Sequence, residues 1–474
     1  MPRQKARVRF RARLACCVRV TNLNPADTIG ASAWLVETGG HHILLDAGTH
    51  PGEEGSAALP LYSSVADVDV EAIAISHCHH DHCGSLPVAL QHFPRARVVM
   101  TEPSYFLVER VLHNSVNVMK RQREERGIAE YPLYHHREID ELSYLFQGFR
   151  YGHVEPWGSF DSENPTAPSP TVSFHHAGHV LGSAGLRVAH GRESLFFTGD
   201  VCFHDQTLTP KADFEGVQAD VLILETTRGA TETPSGFSRD DEAKRLIAAI
   251  RAGLERRAGV LVPVFALGRT QEVLGEIALA MQRGDLKRQP IYIGGLGRVF
   301  TEIYDLVSNR APNRRPDLNL HEALDLQVLE RNELEKIKPD GRLFVITAGM
   351  MSEHTLAHEL ALRMAPVEKH AILFVGYAAP ETPAGKLRAA ARGKPFQFSN
   401  SDGALTRNCE MQIFDLSAHA YREELLDFAV HLNPRSVILG HGEPDARDWI
   451  EVELRARLPR LNILQPMPGE TLSV

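Results

Sequence analysis

The sequence predicts an α/β chain in which a strand-rich unit is interrupted by a parallel-sheet α/β insertion and then resumed. Three observations predict it. Apolar strands ending in histidine or aspartate run as far as Glu225, a βαβα alternation occupies roughly residues 230–405, and strand-like pieces return from Met411. At 474 residues the chain is also longer than one core usually supports.

The first strands lie between Ala31 and Gly48, where ASAWLVET and HHILLDAG flank a Gly39-Gly40 hairpin turn and the second strand delivers Asp46 at its end. Val68 to Ser76 is strand-like and stops at a histidine cluster, which places that cluster in a loop, where scaffolds commonly hold reactive groups. VSFHHAG from Val172, SLFFTGD ending at Asp200 and DVLILET from Asp220 continue the pattern. Ser238 then begins a helix with Asp241 in the acidic position of a capping box, and Leu246, Ile247, Ile250 and Leu254 form its apolar stripe. GVLVPVFA, a helix from Arg269 to Arg283, PIYIGG, a charged helical region, RLFVITAG and AILFVGY alternate after it. FDLSAH and SVILGHGE bring the chain back to its first unit, giving an expected division into 1–228, 229–408 and 409–474.

Composition narrows the class. No apolar run approaches the roughly 20 residues that span a bilayer, so no membrane segment is expected. A net charge of −9 excludes a chain coated in basic surface, although a local basic groove stays open. The one strongly basic stretch alternates Arg7, Arg9, Arg11 and Arg13 with Val8, Phe10, Ala12 and Leu14. That period suits a half-buried edge strand; a mitochondrial presequence would be Ser-rich and helical in pattern. The six cysteines have no CxxC spacing and no secretory leader precedes them, so a reduced, cytoplasmic compartment is expected.

The segment Ser76 to Gly84 reads SHCHHDHCG and gathers enough nitrogen and oxygen donors in one loop for two metal ions. Imidazole mixed with carboxylate favours zinc or similar first-row metals over calcium or magnesium. Further donors stand at strand ends: His179 in HHAGHVLGSA, Asp200 in FFTGD and His441 in VILGHGE. Two close metal ions would make hydrolysis of a phosphoryl or acyl centre the natural reaction. Cys78 and Cys83 flank the cluster as packing residues.

In that order, HxHxDH followed by His, Asp and His resembles the metallo-β-lactamase superfamily. The resemblance implies a four-layer αββα core with His77, His79 and His179 on one zinc, Asp81, His82 and His441 on the other, and Asp200 between them. Manganese is the alternative metal. Asp46 matches the family aspartate that orients a ligand, with a strand-end Asx turn as the plain reading. The insertion resembles that of the β-CASP branch, which includes RNase J and the pre-mRNA 3′-end endonuclease. Glu225 in LILETT, His419 in DLSAHA, His441 in LGHGE and PVFALGRTQE from Pro263 carry that likeness, which runs from about residue 30 to the carboxyl terminus.

The β-CASP likeness implies an RNA phosphodiesterase, endonuclease or 5′ exonuclease, leaving 5′-phosphate and 3′-hydroxyl. Asp81 sits in the catalytic centre, and His419 is the general acid on the departing oxygen with Glu225 tuning it. Histidine at position 441 matches RNA-directed rather than DNA-directed members. Arg269, one residue into its helix, could hold a backbone phosphate or form a salt bridge to Glu272 or Glu225. Gly349 matches a loop that approaches phosphate, and Ser417 either joins it or makes an ST turn. Departures fall on the substrate side: Thr227-Arg228-Gly229 replaces Thr-Tyr-Gly, the histidine that follows is missing, Gly294-Gly295-Leu296 replaces Ser-Pro-Met, and Thr347-Ala348 stands for two serines. They keep a hydrolase of DNA ends or small phosphoesters as the alternative. An inactive scaffold is set aside because all seven ligands are present. The chain leaves no room for the KH-type RNA-binding extension of archaeal relatives or the carboxyl-terminal extension of RNase J. RNA gripping is therefore expected to need a homodimer or an RNA-binding partner protein.

Overall fold

The structure, a computed structural model, describes residues 18–158, 168–399 and 402–474; the arginine-alternating segment from Arg7 to Arg13 lies outside them. Trp34–Thr38 and His41–Leu45 pair antiparallel across Gly39-Gly40, as the hairpin pattern requires. They belong to a sheet of seven described strands in the spatial order Thr471–Ser473, Arg19–Asn22, Trp34–Thr38, His41–Leu45, Ala72–Ala74, Arg97–Thr101 and Phe146–Phe149. A second such sheet runs Asn462–Leu464, Ser436–Gly440, Val221–Glu225, Glu193–Phe197, Ala184–His190, Thr171–His176 and Val154–Pro156.

The period of two along each strand builds the layers. Val36, Ile43 and Leu45 of the first sheet meet Phe174, Leu186, Val188 and Ile223 of the second in one buried cluster. The alternate residues point outward. Leu35, Leu44 and Val98 pack under the helices Leu86–His92 and Glu102–Arg126. On the far side Leu222, Leu224, Val437 and Leu439 pack under Arg422–Leu432 and Pro444–Arg457. The four layers are helix, sheet, sheet, helix.

The inserted sheet is parallel throughout its described pairs, in the order Leu326–Val328, Ile291–Gly294, Leu343–Thr347, Val260–Val264, Ala371–Val375 and Glu410–Phe414. Two of these strands correct the sequence reading. Leu326–Val328 lies inside the stretch expected to be helical. Glu410–Phe414, expected to rejoin the first unit, instead pairs with Ala371–Val375 from Ala371↔Glu410 to Val375↔Phe414, satisfying backbone groups along that edge. The return therefore begins after Phe414 rather than at residue 409. The capping box is also half closed. Ser238 Oγ accepts from Asp241 N, but the Asp241 carboxylate is held by Lys244, 2.8 Å away. Among the described residues, no helix is long and apolar enough to cross a membrane.

The insertion docks through two of its helices, Leu296–Val307 and Arg269–Arg283. Leu181 N donates to Tyr304 Oη at 3.0 Å. The Glu272 carboxylate accepts from the backbone N–H groups of Thr207, Leu208 and Thr209 at 2.6, 3.0 and 3.0 Å. The carboxyl end of Val260–Val264 faces the histidine cluster, with the Leu267 carbonyl 3.4 Å from His79 Nε2; in open α/β sheets that end forms the ligand-binding cleft.

Candidate active site

The cluster begins as a loop, but the His79 carbonyl accepts from His82 N and Cys83 N, both at 3.0 Å, and His80–Cys83 forms one helical turn. That turn brings donors from both sides of it to one place. Gly48 permits the approach, since a Cβ there would overlap the Asp81 carbonyl. The ligand atoms of His77, His79, His179 and Asp200 lie within 4.8 Å of one another, and so do those of Asp81, His82 and His441. Asp200 joins the groups. Its Oδ2 is 3.6 and 3.5 Å from Nε2 of His77 and His179, and its Oδ1 is 3.3 Å from Nε2 of both His82 and His441.

The imidazoles are aimed by their other nitrogens. His82 Nδ1 is 2.7 Å from Asp46 Oδ2, His179 Nδ1 is 2.9 Å from the Ala418 carbonyl, and His77 Nδ1 is 3.1 Å from Ser76 Oγ. Asp46 is itself pinned by Ser76 N at 2.7 Å and by the hydroxyls of Ser32 and Ser76. It therefore orients the His82 imidazole rather than closing an Asx turn on itself.

These residues suit metal ions. Asp200 Oδ1 and His82 Nε2 are buried without a hydrogen-bond partner although they face each other. Burial and neighbouring imidazoles hold His77 and His179 well below their usual pKa, which leaves them neutral with free lone pairs. At His82 burial opposes the charge, yet Asp200, Asp46 and Asp81 raise it well above its usual value. The buried carboxylates call for positive charge at this point, and a divalent cation supplies more than one proton does. A separate group, Glu109, His113 and Asp140, also converges, but Asp140 is mostly exposed.

His419 stands beside the cluster with Nε2 4.0 Å from Asp200 Oδ2 and Nδ1 3.2 Å from Glu225 Oε1. Glu225 is fixed by Val201 N at 2.8 Å and Thr227 N at 3.2 Å. Burial disfavours the imidazolium, but the Glu225 charge and hydrogen bond, with Asp200 behind them, raise His419 to about 9. The expected pair is thus assembled.

The other expected residues divide. Ser417 makes the ST turn: its hydroxyl accepts from His419 N at 3.1 Å. Gly349 is buried against Phe265, whose ring would lie 3.2 Å from a Cβ, and the left-handed strain falls on Ala348 at φ 90. Arg269 forms no salt bridge with Glu272, whose oxygens are taken by the 207–209 backbone, nor with Glu225. Its Nη1 is buried and unpartnered, and burial together with Arg239 pushes the guanidinium down to about 10. Arg239 itself escaped the sequence reading; it donates to the Ser417 carbonyl at 2.7 Å, two residues before His419. Arg228, the departure from Thr-Tyr-Gly, forms a two-pronged ion pair with Asp415 at 2.9 and 2.7 Å and lies over the Tyr421 ring.

Three family models match the chain in order. They are the metallo-β-lactamase superfamily over residues 26–259, the β-CASP domain over 270–387 and the RNA specificity domain of zinc-dependent metallohydrolases over 405–460. Endoribonuclease YSH1 of Eremothecium gossypii is 27% identical over 439 residues, which is 90% of this chain and 55% of the relative. Its namesake in Saccharomyces cerevisiae is 26% identical, covering 89% and 54%. Transcription termination factor FttA of Pyrococcus horikoshii is 26% identical, covering 90% and 66%. The chain spans about half the length of the YSH1 relatives. A solved structure of a protein of unknown function from Enterococcus faecalis shares the fold, with a TM-score of 0.55, 14% identity and coverage of 97% of this chain and 100% of that one.

Proposed function

Since the chain belongs to the β-CASP branch of the metallo-β-lactamase superfamily, we propose that it is a di-zinc hydrolase of RNA phosphodiester bonds. It acts as an endoribonuclease, a 5′ exoribonuclease or both, leaving 5′-phosphate and 3′-hydroxyl ends. The observation that carries this reading is Asp200 facing two ligand groups with its two oxygens while the His419–Glu225 pair stands 4.0 Å away. His77, His79 and His179 would hold one ion, Asp81, His82 and His441 the other, with Asp200 shared. Zinc, or manganese in its place, supplies a Lewis acid for the phosphate and lowers the pKa of water.

The remaining steps belong to side chains. Glu225 keeps His419 protonated and turned so that Nε2 points inward, where it donates its proton to the departing 3′ oxygen. The unpartnered Arg269 guanidinium, with Arg239 beside it, offers charge to a phosphate. Ser417 fixes the backbone at His419 through its hydroxyl, and the Gly349 loop supports the Phe265 ring. Because the whole chain is acidic, it grips long RNA as a homodimer or with an RNA-binding partner protein.

The test incubates the purified chain with labelled single-stranded RNA and DNA of equal sequence, with zinc or manganese, beside His419→Ala. RNA cleavage by wild type and its loss by about 100-fold or more in the variant, at unchanged zinc content, are expected. Hydrolysis of a generic phosphodiester with neither polymer cut would sink the nuclease reading and favour the small-phosphoester alternative.

A further inference from the structure

Three loops leave the carboxyl ends of neighbouring parallel strands at the cleft: 265–268 after Val260–Val264, 348–355 after Leu343–Thr347 and 376–382 after Ala371–Val375. Two large aromatic side chains stand open to solvent there, Phe265 at 39% exposure and Tyr377 at 68%. The register Val260↔Ala371 and Leu261↔Ile372 sets them at nearly the same level on adjacent strands. The loops touch one another, since Ala379 N donates to Met350 Sδ at 3.4 Å and the Phe265 ring rests against Gly349.

The loop that carries Phe265 borders the histidine cluster. Two residues beyond Phe265, the Leu267 carbonyl is 3.4 Å from His79 Nε2. Tyr377 lies close enough to Glu443, two residues past His441, for that carboxylate to help burial and Glu381 raise its phenol pKa. A cation stands at their side: Arg388 Nη1 donates to the Gly376 carbonyl at 3.2 Å. The chain beyond is basic. Residues 383–407 carry Lys386, Arg388, Arg392, Lys394 and Arg407 against Asp402. Arg392 is paired with Glu368 at 2.9 Å and Arg407 Nε donates to the Ala390 carbonyl, which leaves Lys386 and Lys394 as the cations whose side chains have neither ion pair nor hydrogen bond among the described residues. The Asp402 carboxylate is engaged by His358 at 2.9 Å.

We propose that Phe265 and Tyr377, with Arg388 beside them, form a stacking platform for unpaired nucleobases of single-stranded RNA, which then runs toward the basic segment 383–407. This deepens the nuclease reading and rests on it. Exposed rings accept any base face, which gives binding without strict sequence preference, and the neighbouring cations meet the backbone. Only unstacked bases can use such a platform, so single strands are taken and duplexes refused.

The experiment uses the full zinc-loaded chain with a short unstructured RNA, the same RNA carrying an abasic nucleotide at successive positions beside the cut, and bis(p-nitrophenyl) phosphate, which has no base. Tyr377→Ala is expected to raise KM for RNA about tenfold with kcat within about twofold, and Tyr377→Phe to restore the wild-type KM. Hydrolysis of the small diester stays unchanged in both. At one position the abasic RNA costs wild type the same factor and costs Tyr377→Ala nothing further. RNA cleavage with wild-type KM in Tyr377→Ala overturns the platform alone, as does an equal loss on the small diester. If wild type cuts no RNA at all, the nuclease reading falls and the platform with it.

Discussion

Glu225 accepts one hydrogen bond from His419 and two from backbone N–H groups, so its carboxylate can neither leave nor turn. Its charge is the first of the influences that raise His419 to about 9 against the cost of burial. In the proposed mechanism His419 acts while protonated, so the rate is expected to fall as pH rises through its pKa. Glu225→Gln keeps the shape and removes the charge, which lowers that pKa. The alkaline limb of kcat/KM is therefore expected to move to lower pH by roughly one pH unit. Bound cations lower the pKa in both proteins and leave the direction of the difference intact. A limb that stays in place or moves upward would show that Glu225 does not tune the acid. At this scale the convergence of His77, His179, Asp200 and His441 was legible in the sequence, because each closes a strand or its following turn. The sequence was poor for Arg239, whose approach to Ser417 comes from the packing of a distant helix start and leaves no local spacing to read.

The helix Arg269–Arg283 shows what one element does for the cleft. Its first turn carries Arg269 toward the site, and its Glu272 takes three backbone N–H groups from the 207–209 segment. Those donors are buried, so Glu272→Ala leaves them unsatisfied at a cost of roughly 2–4 kcal/mol. Denaturant unfolding should show a midpoint shift of that size, and a change under about 0.5 kcal/mol would mean that water replaces the carboxylate freely. The helix bounds follow the sequence expectation because Gly268 and Gly284 bracket an amphipathic run. Leu326–Val328 was invisible, being three residues long with two exposed side chains and no alternation to detect. Glu410–Phe414 reads as a strand, but its own pattern does not say which sheet edge it joins.

Across the whole molecule the histidine cluster joins the first unit to the returning segment, and the insertion reaches it through the Leu267 carbonyl, 3.4 Å from His79 Nε2. Asp46, Asp81 and Asp200 crowd beside it, and without cations their repulsion is met only by protons on histidine. Chelation is expected to lower the melting temperature by several degrees and zinc to restore it, since a ligand at about 1,000 times its Kd adds roughly 4 kcal/mol. A melting temperature unmoved by both treatments would mean that the cluster binds no metal. The layer order was legible from strand pattern and family likeness together, whereas the docking of insertion on core rests on side chains such as Tyr304 and Glu272 that face across the cleft. That arrangement also has a meaning in time. His77, His79, Asp81, His82, His179, Asp200 and Glu225 all precede the insertion, while His419 and His441 follow it. A growing chain on the ribosome holds all of the first group and two of the three residues of the second, Asp81 and His82, until His419 and then His441 have emerged. Synthesis therefore completes the second group and the His419–Glu225 pair last, after the whole inserted sheet has been made.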